Sequence, residues 1–260
     1  MGSFTYRDGI AVFQLIVFPI ILVAAVMIWH QTGWRVGSKI WRFPVTLSLL
    51  RIAGGICSML ALKWQTYNIE VAIVVCELIG LTPLLLTYVG LLRQIDTMQR
   101  IQPRYHKLLT IICFIGLILG ISGISSANSG DYTPDAMVKG AMGIYIAVFV
   151  ILLLTTVWLW TLHSSSFTMK KFQKKLFLAI ALSTPFLAVR LAYSALGDYT
   201  TIGTFSVISG NTTVYLVMDV LEEMAAMGIT MILGLQAVHE TDYIKVSLDD
   251  PNADPKIEGV

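Results

Sequence analysis

The stretch GIAVFQLIVFPIILVAAVMIW, residues 9–29, contains no charged residue and a single amide side chain, Gln14. At ~1.5 Å of rise per residue, a helix of that length is about as long as the hydrocarbon core of a bilayer is thick. Six further segments of the same character follow, at about 41–62, 69–92, 107–127, 139–162, 176–197 and 213–238. Each has the ~20 predominantly apolar residues that one crossing requires. The expected fold is therefore all-α, a polytopic bundle of seven transmembrane helices. Its links are short, so consecutive helices are expected to pack as antiparallel neighbours. Composition agrees: 56% of residues are apolar and 13% charged, and mean hydropathy is +0.74. A soluble domain carries roughly 25% charge. Residues 1–246 form the membrane domain, and 247–260, with its Asp249-Asp250-Pro251 run, is expected to be a disordered cytosolic tail.

The cationic residues set the orientation. Arg35, Lys39, Arg42, Arg93, Arg100, Arg104, Lys107, Lys170, Lys171, Lys174, Lys175, Lys245 and Lys256 fall on one side. Only Arg7, Lys63 and Lys139 fall on the other, a bias of thirteen to three. The richer side is expected to be cytosolic, which puts the N-terminus in the lumen and the C-terminus in the cytosol. An Asn211-Thr212-Thr213 sequon lies on the expected lumenal side, so Asn211 is a candidate glycosylation site. The first apolar run is too long for a cleavable signal and reads as an uncleaved insertion signal into the endoplasmic reticulum. Trp29, Trp34, Trp41, Trp64, Trp158 and Trp160 lie near helix ends, where an interfacial aromatic belt would place them. Gly116, Gly120 and Gly123 have the spacing of a close helix–helix seam. Pro19, Pro83 and Pro185 fall inside expected helices and are expected to kink them.

Six ionisable residues lie inside the expected spans: Arg51, Glu77, Arg190, Asp219, Glu222 and Glu223. Each costs ~2.5–3.5 kcal/mol in hydrocarbon unless it faces the bundle interior. Helix register places all six at the midplane or in the lumenal half. Asp219, Glu222 and Glu223, at i, i+3 and i+4, share one helix face. Two arginines can neutralise two of the four acids, which leaves up to two carboxyls able to hold a proton and start acid-initiated chemistry. Gln14, Asn68, Asn128, Tyr88, Tyr145, Tyr193 and Tyr215 could complete a polar lining.

Several function classes are excluded. No basic stripe suggests nucleic acid. Cys57, Cys76 and Cys113 lie in apolar segments without CxxC spacing and read as buried packing residues. His30, His106, His163 and His239 lie at cytosolic helix ends, far from the acids, so no metal site is expected. A second acidic cluster facing Asp219, Glu222 and Glu223 is missing, so magnesium-dependent ionisation of a diphosphate is unsupported.

Three motifs carry a family resemblance: Tyr6-Arg7-Asp8-Gly9, Ser48-Leu49-Leu50-Arg51-Ile52-Ala53-Gly54-Gly55, and Gly80-Leu81-Thr82-Pro83-Leu84-Leu85. With them the chain resembles the fungal seven-helix membrane-bound terpene cyclases of the ascofuranone and macrophorin type, over most of its length. The resemblance implies cyclisation of a farnesyl or epoxyfarnesyl chain, usually attached to an aromatic ring. An acid protonates the terminal alkene or epoxide, and neither metal nor cofactor takes part. It also implies a place in a meroterpenoid pathway, downstream of a prenyltransferase and an epoxidase. In this scheme Glu222 or Asp219 is the first candidate proton donor and Glu77 the next. Arg51 and Arg190 tune the acids or hold the substrate's polar head, and Glu223 is a charge partner or a lipid-side spectator. Arg7 and Asp8, at the lumenal mouth, are further candidates. The same residues leave a proton-coupled transporter, a receptor-like protein and a non-catalytic scaffold open. The receptor lacks its DRY and NPxxY signals, and the transporter lacks a repeat with paired broken helices.

Overall fold

A computed structural model describes residues 5–38, 40–64, 69, 72–73, 75–76, 79–97, 100–125, 136–165, 169–200 and 210–243. Among them no strand occurs, and the helices are α1 (Tyr6–Thr32), α2 (Trp34–Gly37), α3 (Arg42–Ala61), α4 (Leu81–Ile95), α5 (Pro103–Ser125), α6 (Ala136–Ser165) and α7 (Lys171–Tyr199). The last part of the fold is one continuous helical run, α8 (Thr212–Tyr215), a π-helical turn (Leu216–Leu221) and α9 (Glu222–Val238). Among the described residues, five helices, α1, α3, α5, α6 and α7, are long and apolar enough to cross a membrane. α4 is shorter, and within the expected third span residues 70, 71, 74, 77 and 78 are outside the described residues. The tail from 247 is also outside them.

Local chemistry explains where helices begin and end. At the start of α1, the Thr5 amide and hydroxyl both donate to Asp8 Oδ2, at 2.7 and 2.6 Å. Asp8 thus satisfies the amide of the N-cap residue Thr5 and places negative charge at the helix's positive end. Gly33 closes α1 at φ 91°, a conformation that a residue with Cβ adopts only under strain. The Asn211 Oδ1 accepts from the Thr213 amide at 2.9 Å and starts α8.

Every residue of α4 except Arg93 is buried, which makes it the central helix. It touches α3, α5, α6 and α7. Two hydroxyl pairs tie it in place: Tyr88 to Ser183 of α7 at 2.5 Å, and Thr82 with Tyr145 of α6 at 2.6 Å. α1 packs on α3 and α9, α9 on α7, and α5 on α6. Gly116, Gly120 and Gly123 lie against Tyr145, Ala141 and Val138 of α6, so the expected glycine seam is the α5–α6 contact. The outward faces present Ile16, Ile20 and Val23 of α1, Ile111, Ile115 and Ile118 of α5, and Leu154 and Val157 of α6, all exposed.

Two sequence expectations need correction, those for Trp41 and for the cysteines. Trp41 is not interfacial: it is 1% exposed, and its ring fills the space where Gly234 of α9 lacks a side chain. Pro83 sits in the first turn of α4, where its ring removes the bond to the carbonyl of residue 79; residue 79 is helical and Gly80 keeps helical backbone angles, φ −55° and ψ −30°. Of the cysteines, only Cys113 is fully buried, Cys57 and Cys76 being half-buried; all three are free.

The bundle's two ends are identifiable from the packing. Gln31 contacts His239, Gln173 donates to the Ile95 carbonyl at 2.8 Å, and Lys175 pairs with Glu240. The ends of α1, α4 and α9 and the start of α7 therefore meet at one end, called here the His239 end. The opposite, Tyr6 end holds the start of α1 and the turn that carries Asp219.

Candidate functional site

Four of the six ionisable residues form one buried network. Arg51 projects from the middle of α3, on the buried face it shares with Ser48 and Gly55. It donates through Nε and Nη2 to the two carboxylate oxygens of Glu223, each at 2.6 Å. This two-bond geometry is the strongest pairing available to a guanidinium and a carboxylate. Arg190 of α7 pairs with Glu223 Oε2 at 2.9 Å and, through Nη1, with Asp219 Oδ1. Its Nη1 also reaches the Asp219 backbone carbonyl at 3.2 Å. Arg51 Nη2 lies 3.9 Å from Asp219 Oδ2 and closes the network. Arg51, Arg190, Asp219 and Glu223 are at most 5% exposed.

Among the described residues, the network's charges balance, two against two. That satisfies the requirement on buried ions, which are tolerated when paired and hydrogen-bonded and costly when one partner is missing. One donor is left over, because Arg190 Nε is buried without an acceptor among the described residues. The fourth wall is backbone. A Cβ built on Gly80, which precedes α4, would lie 2.7 Å from Arg51 Nη2 and 3.1 Å from Arg190 Nη2. Only glycine lets α4 approach both guanidiniums this closely.

The π-helical turn positions Asp219. A turn closed by i→i+5 bonds inserts an extra residue into the helix, shifts the register of the residues beyond it, and often occurs at functional sites. Here it holds Asp219 toward Arg190 while Glu223, in the first turn of α9, faces both arginines. Nearby, the Arg7 guanidinium stacks 5.2 Å above the Tyr215 ring. An open groove of about 600 Å³ lies between the start of α1 and the π turn. Its lining is Thr5, Tyr6, Gly9, Ile10, Phe13, Leu216 and Leu221.

The sequence candidates thus separate. Arg51, Arg190, Asp219 and Glu223 come together. Glu223 is not a lipid-side spectator: it is 1% exposed and bridges both arginines. Glu222 takes no part in the network. It is half-buried, and its Oε2 is buried without a hydrogen-bond partner among the described residues. Glu77, Asn68 and Asn128 lie outside the described residues. Gln14, Tyr88, Tyr145, Tyr193 and Tyr215 are all buried, and Gln14 Nε2 has no partner among the described residues.

Sequence reasoning missed two residues. Gly80 appeared only as part of a motif, although a glycine at the level of two buried arginines was a usable signal. Asp198, the second-last residue of α7, is 8% exposed and lies beside the junction where the Tyr199 hydroxyl donates to the Lys139 carbonyl at 2.6 Å. It fell one residue past the expected span, where a carboxylate reads as solvated.

The chain matches the family described as Domain of unknown function (DUF7702) over residues 4–240, and it belongs to that family. No curated protein and no solved structure matches it.

Proposed function

We propose that this member of the family is a membrane-bound terpene cyclase, one that protonates a farnesyl or epoxyfarnesyl chain and lets the resulting cation close rings without a metal. One observation carries the reading. Asp219 and Glu223 occupy both buried arginines, while Glu222, adjacent in sequence, keeps a buried carboxylate oxygen with no partner among the described residues. A carboxyl set apart from both guanidiniums can hold a proton far more readily than one bridged by them. Proton transfer from a positioned acid is the step that starts such a cyclisation. Glu222 is therefore the proton donor in this scheme, with Glu77 its alternate. Asp219 and Glu223, with Arg51 and Arg190, form the rigid floor that positions it. The buried ring of Tyr193 supplies an aromatic face that favours a passing cation.

The chain in this reading crosses the endoplasmic reticulum membrane seven times, N-terminus lumenal. The segment ending in α4 and the run from Thr212 to Val238 are the third and seventh crossings. The substrate is a prenylated or epoxidised prenyl aromatic, made by a prenyltransferase and an epoxidase. Asn211, exposed at the start of α8, is the glycan acceptor on the lumenal face. A proton-coupled carrier is the second reading, supported by a buried acid–arginine network that joins three separate segments.

The test uses microsomes containing the full chain, farnesylated and epoxyfarnesylated phenols, and a chelator that removes magnesium. Cyclised product identified by mass spectrometry and NMR is the expected result. A reaction that needs magnesium, or pH-gradient-driven uptake without any product, contradicts the cyclase.

A further inference from the structure

We infer that the outer seam between the end of α6 and the start of α7 is a binding site for an anionic phospholipid, its phosphate held by lysines and its acyl chains laid along α7. The inference goes beyond the cyclase reading and needs only that α6 and α7 cross a bilayer. Lys170, Lys171, Lys174 and Lys175 fall within six residues at the start of α7. Lys175 is engaged by Glu240. Lys170, Lys171 and Lys174 have no acidic partner among the described residues, and Lys171 and Lys174 are exposed. Asp242 accepts from the backbone amide of Lys171, at 2.6 Å, and not from its ammonium.

Helix length puts these lysines at headgroup depth. α7 has 29 residues, roughly 43 Å of helix at ~1.5 Å per residue, against ~30 Å of hydrocarbon. Charged side chains cost least outside the hydrocarbon, so the surplus includes the turns that carry the lysines. Beyond them the same face turns apolar. Positions 171, 174, 178 and 182 have the spacing of one helix face. Lys171 and Lys174 thus stand over Leu178 and Leu182, both exposed, and Val189 continues the stripe. Phe172, Leu176, Ser183 and Leu187, all buried, mark the opposite face. Ammonium groups followed by hydrocarbon along one face match the order of a phospholipid, phosphate first and acyl chain beneath.

α6 supplies the other wall. Trp160 packs edge-on against Phe177 with ring centroids 5.3 Å apart, so the last turns of α6 lie beside the first turns of α7. The indole is 48% exposed, and Val157, one turn deeper on α6, is exposed too. Tryptophan concentrates at the membrane interface because its ring is apolar and its N–H suits an oxygen such as an ester carbonyl. Charge selects among lipids. Three ammonium groups without acidic partners attract a headgroup of net negative charge, whereas a zwitterionic headgroup brings a cation of its own.

The experiment uses the full chain in nanodiscs of phosphatidylcholine, alone or mixed with phosphatidylserine. Retained lipid is counted by native mass spectrometry after transfer to detergent, and Tm is read in parallel. The unchanged protein should retain phosphatidylserine in preference to phosphatidylcholine and gain Tm from it. Lys171→Gln and Lys174→Gln should each weaken phosphatidylserine retention about fivefold, the weight of one basic residue near an anionic surface, and leave phosphatidylcholine unchanged. Trp160→Leu should weaken both lipids. Arg104→Gln with Lys107→Gln removes two exposed cations at the start of α5, at the same end of the bundle, and should change neither. Every substituted side chain is exposed, so the variants should fold as the unchanged protein does. Equal retention of the two lipids overturns the inference. An equal loss from the Arg104 and Lys107 pair also overturns it, because the attraction is then diffuse surface charge. So does displacement of the lipid by soluble glycerophosphoserine, because the lysines then read a free anion. Lipid retention is measured without turnover, so the outcome holds whether or not any compound is cyclised.

Discussion

The two ends of the bundle use the same chemical groups to opposite effect. At the His239 end, Lys175 pairs with Glu240, the Lys171 amide donates to Asp242 at 2.6 Å, and Asp96 accepts from the amides of Arg100 and Ile101. The Lys175 and Glu240 side chains remain 31% and 22% exposed. Toward the Tyr6 end, Arg51, Arg190, Asp219 and Glu223 are sealed among α3, α7 and the π turn. Exposed pairs are screened and contribute ~0–1 kcal/mol. Buried ones lose ~3–5 kcal/mol when one partner is removed, because the other is left charged and alone. Charge at the first end fastens segments together. At the second it fixes a geometry that the protein cannot relax.

The largest effect should therefore come from breaking the buried network. Arg190→Met leaves Asp219 without its main partner and should cost about 3–5 kcal/mol, read as a large fall in Tm of the protein in nanodiscs. The double variant Arg190→Met with Asp219→Leu should recover much of that loss, because an apolar pair replaces an ionic one. A double variant no more stable than Arg190→Met alone would mean that the arginine packs rather than pairs.

Next come two glycine substitutions that probe one collision at each end. Gly80→Ala drives a methyl to within 2.7 Å of Arg51 Nη2, and Gly234→Ala drives one to within 2.6 Å of the Trp41 ring. Both are small-to-large changes in a packed interior and should cost about 1–3 kcal/mol. They should part in turnover. Gly80→Ala should lower product formation beyond its effect on folded protein, while Gly234→Ala should lower only the amount of folded protein. Equal specific activity in the two variants would break the distinction between the ends. Lys175→Ala should have the smallest effect, about 0–1 kcal/mol, as an exposed pair does.

How much of this was legible in the sequence depends on the kind of signal each feature leaves. The apolar runs at 9–29, 41–62, 107–127, 139–162 and 176–197 matched long helices because lipid allows few other backbones. The burial of Arg51 and Arg190 followed from cost alone, since charge in hydrocarbon must find a partner. Which carboxylates they choose did not follow. Asp219, Glu222 and Glu223 share a face in an ideal α-helix, and the π turn, with its changed register, left no mark that hydropathy could register. Glu223 was left between charge partner and lipid-side spectator for that reason, and only the structure pairs it with both arginines. Trp41 was misread because position near a helix end says nothing about whether a glycine on α9 stands opposite to receive the ring.

The central claim is that neighbouring carboxyls have divided roles, Glu223 holding the arginines and Glu222 giving the proton. The most direct measurement compares Glu222→Gln with the unchanged protein in magnesium-free microsomes supplied with a farnesylated or epoxyfarnesylated phenol. The account predicts unchanged membrane insertion and Tm, with product formation reduced by about 10²–10⁴-fold, the contribution of a positioned general acid. Full turnover in a normally folded Glu222→Gln protein would contradict it.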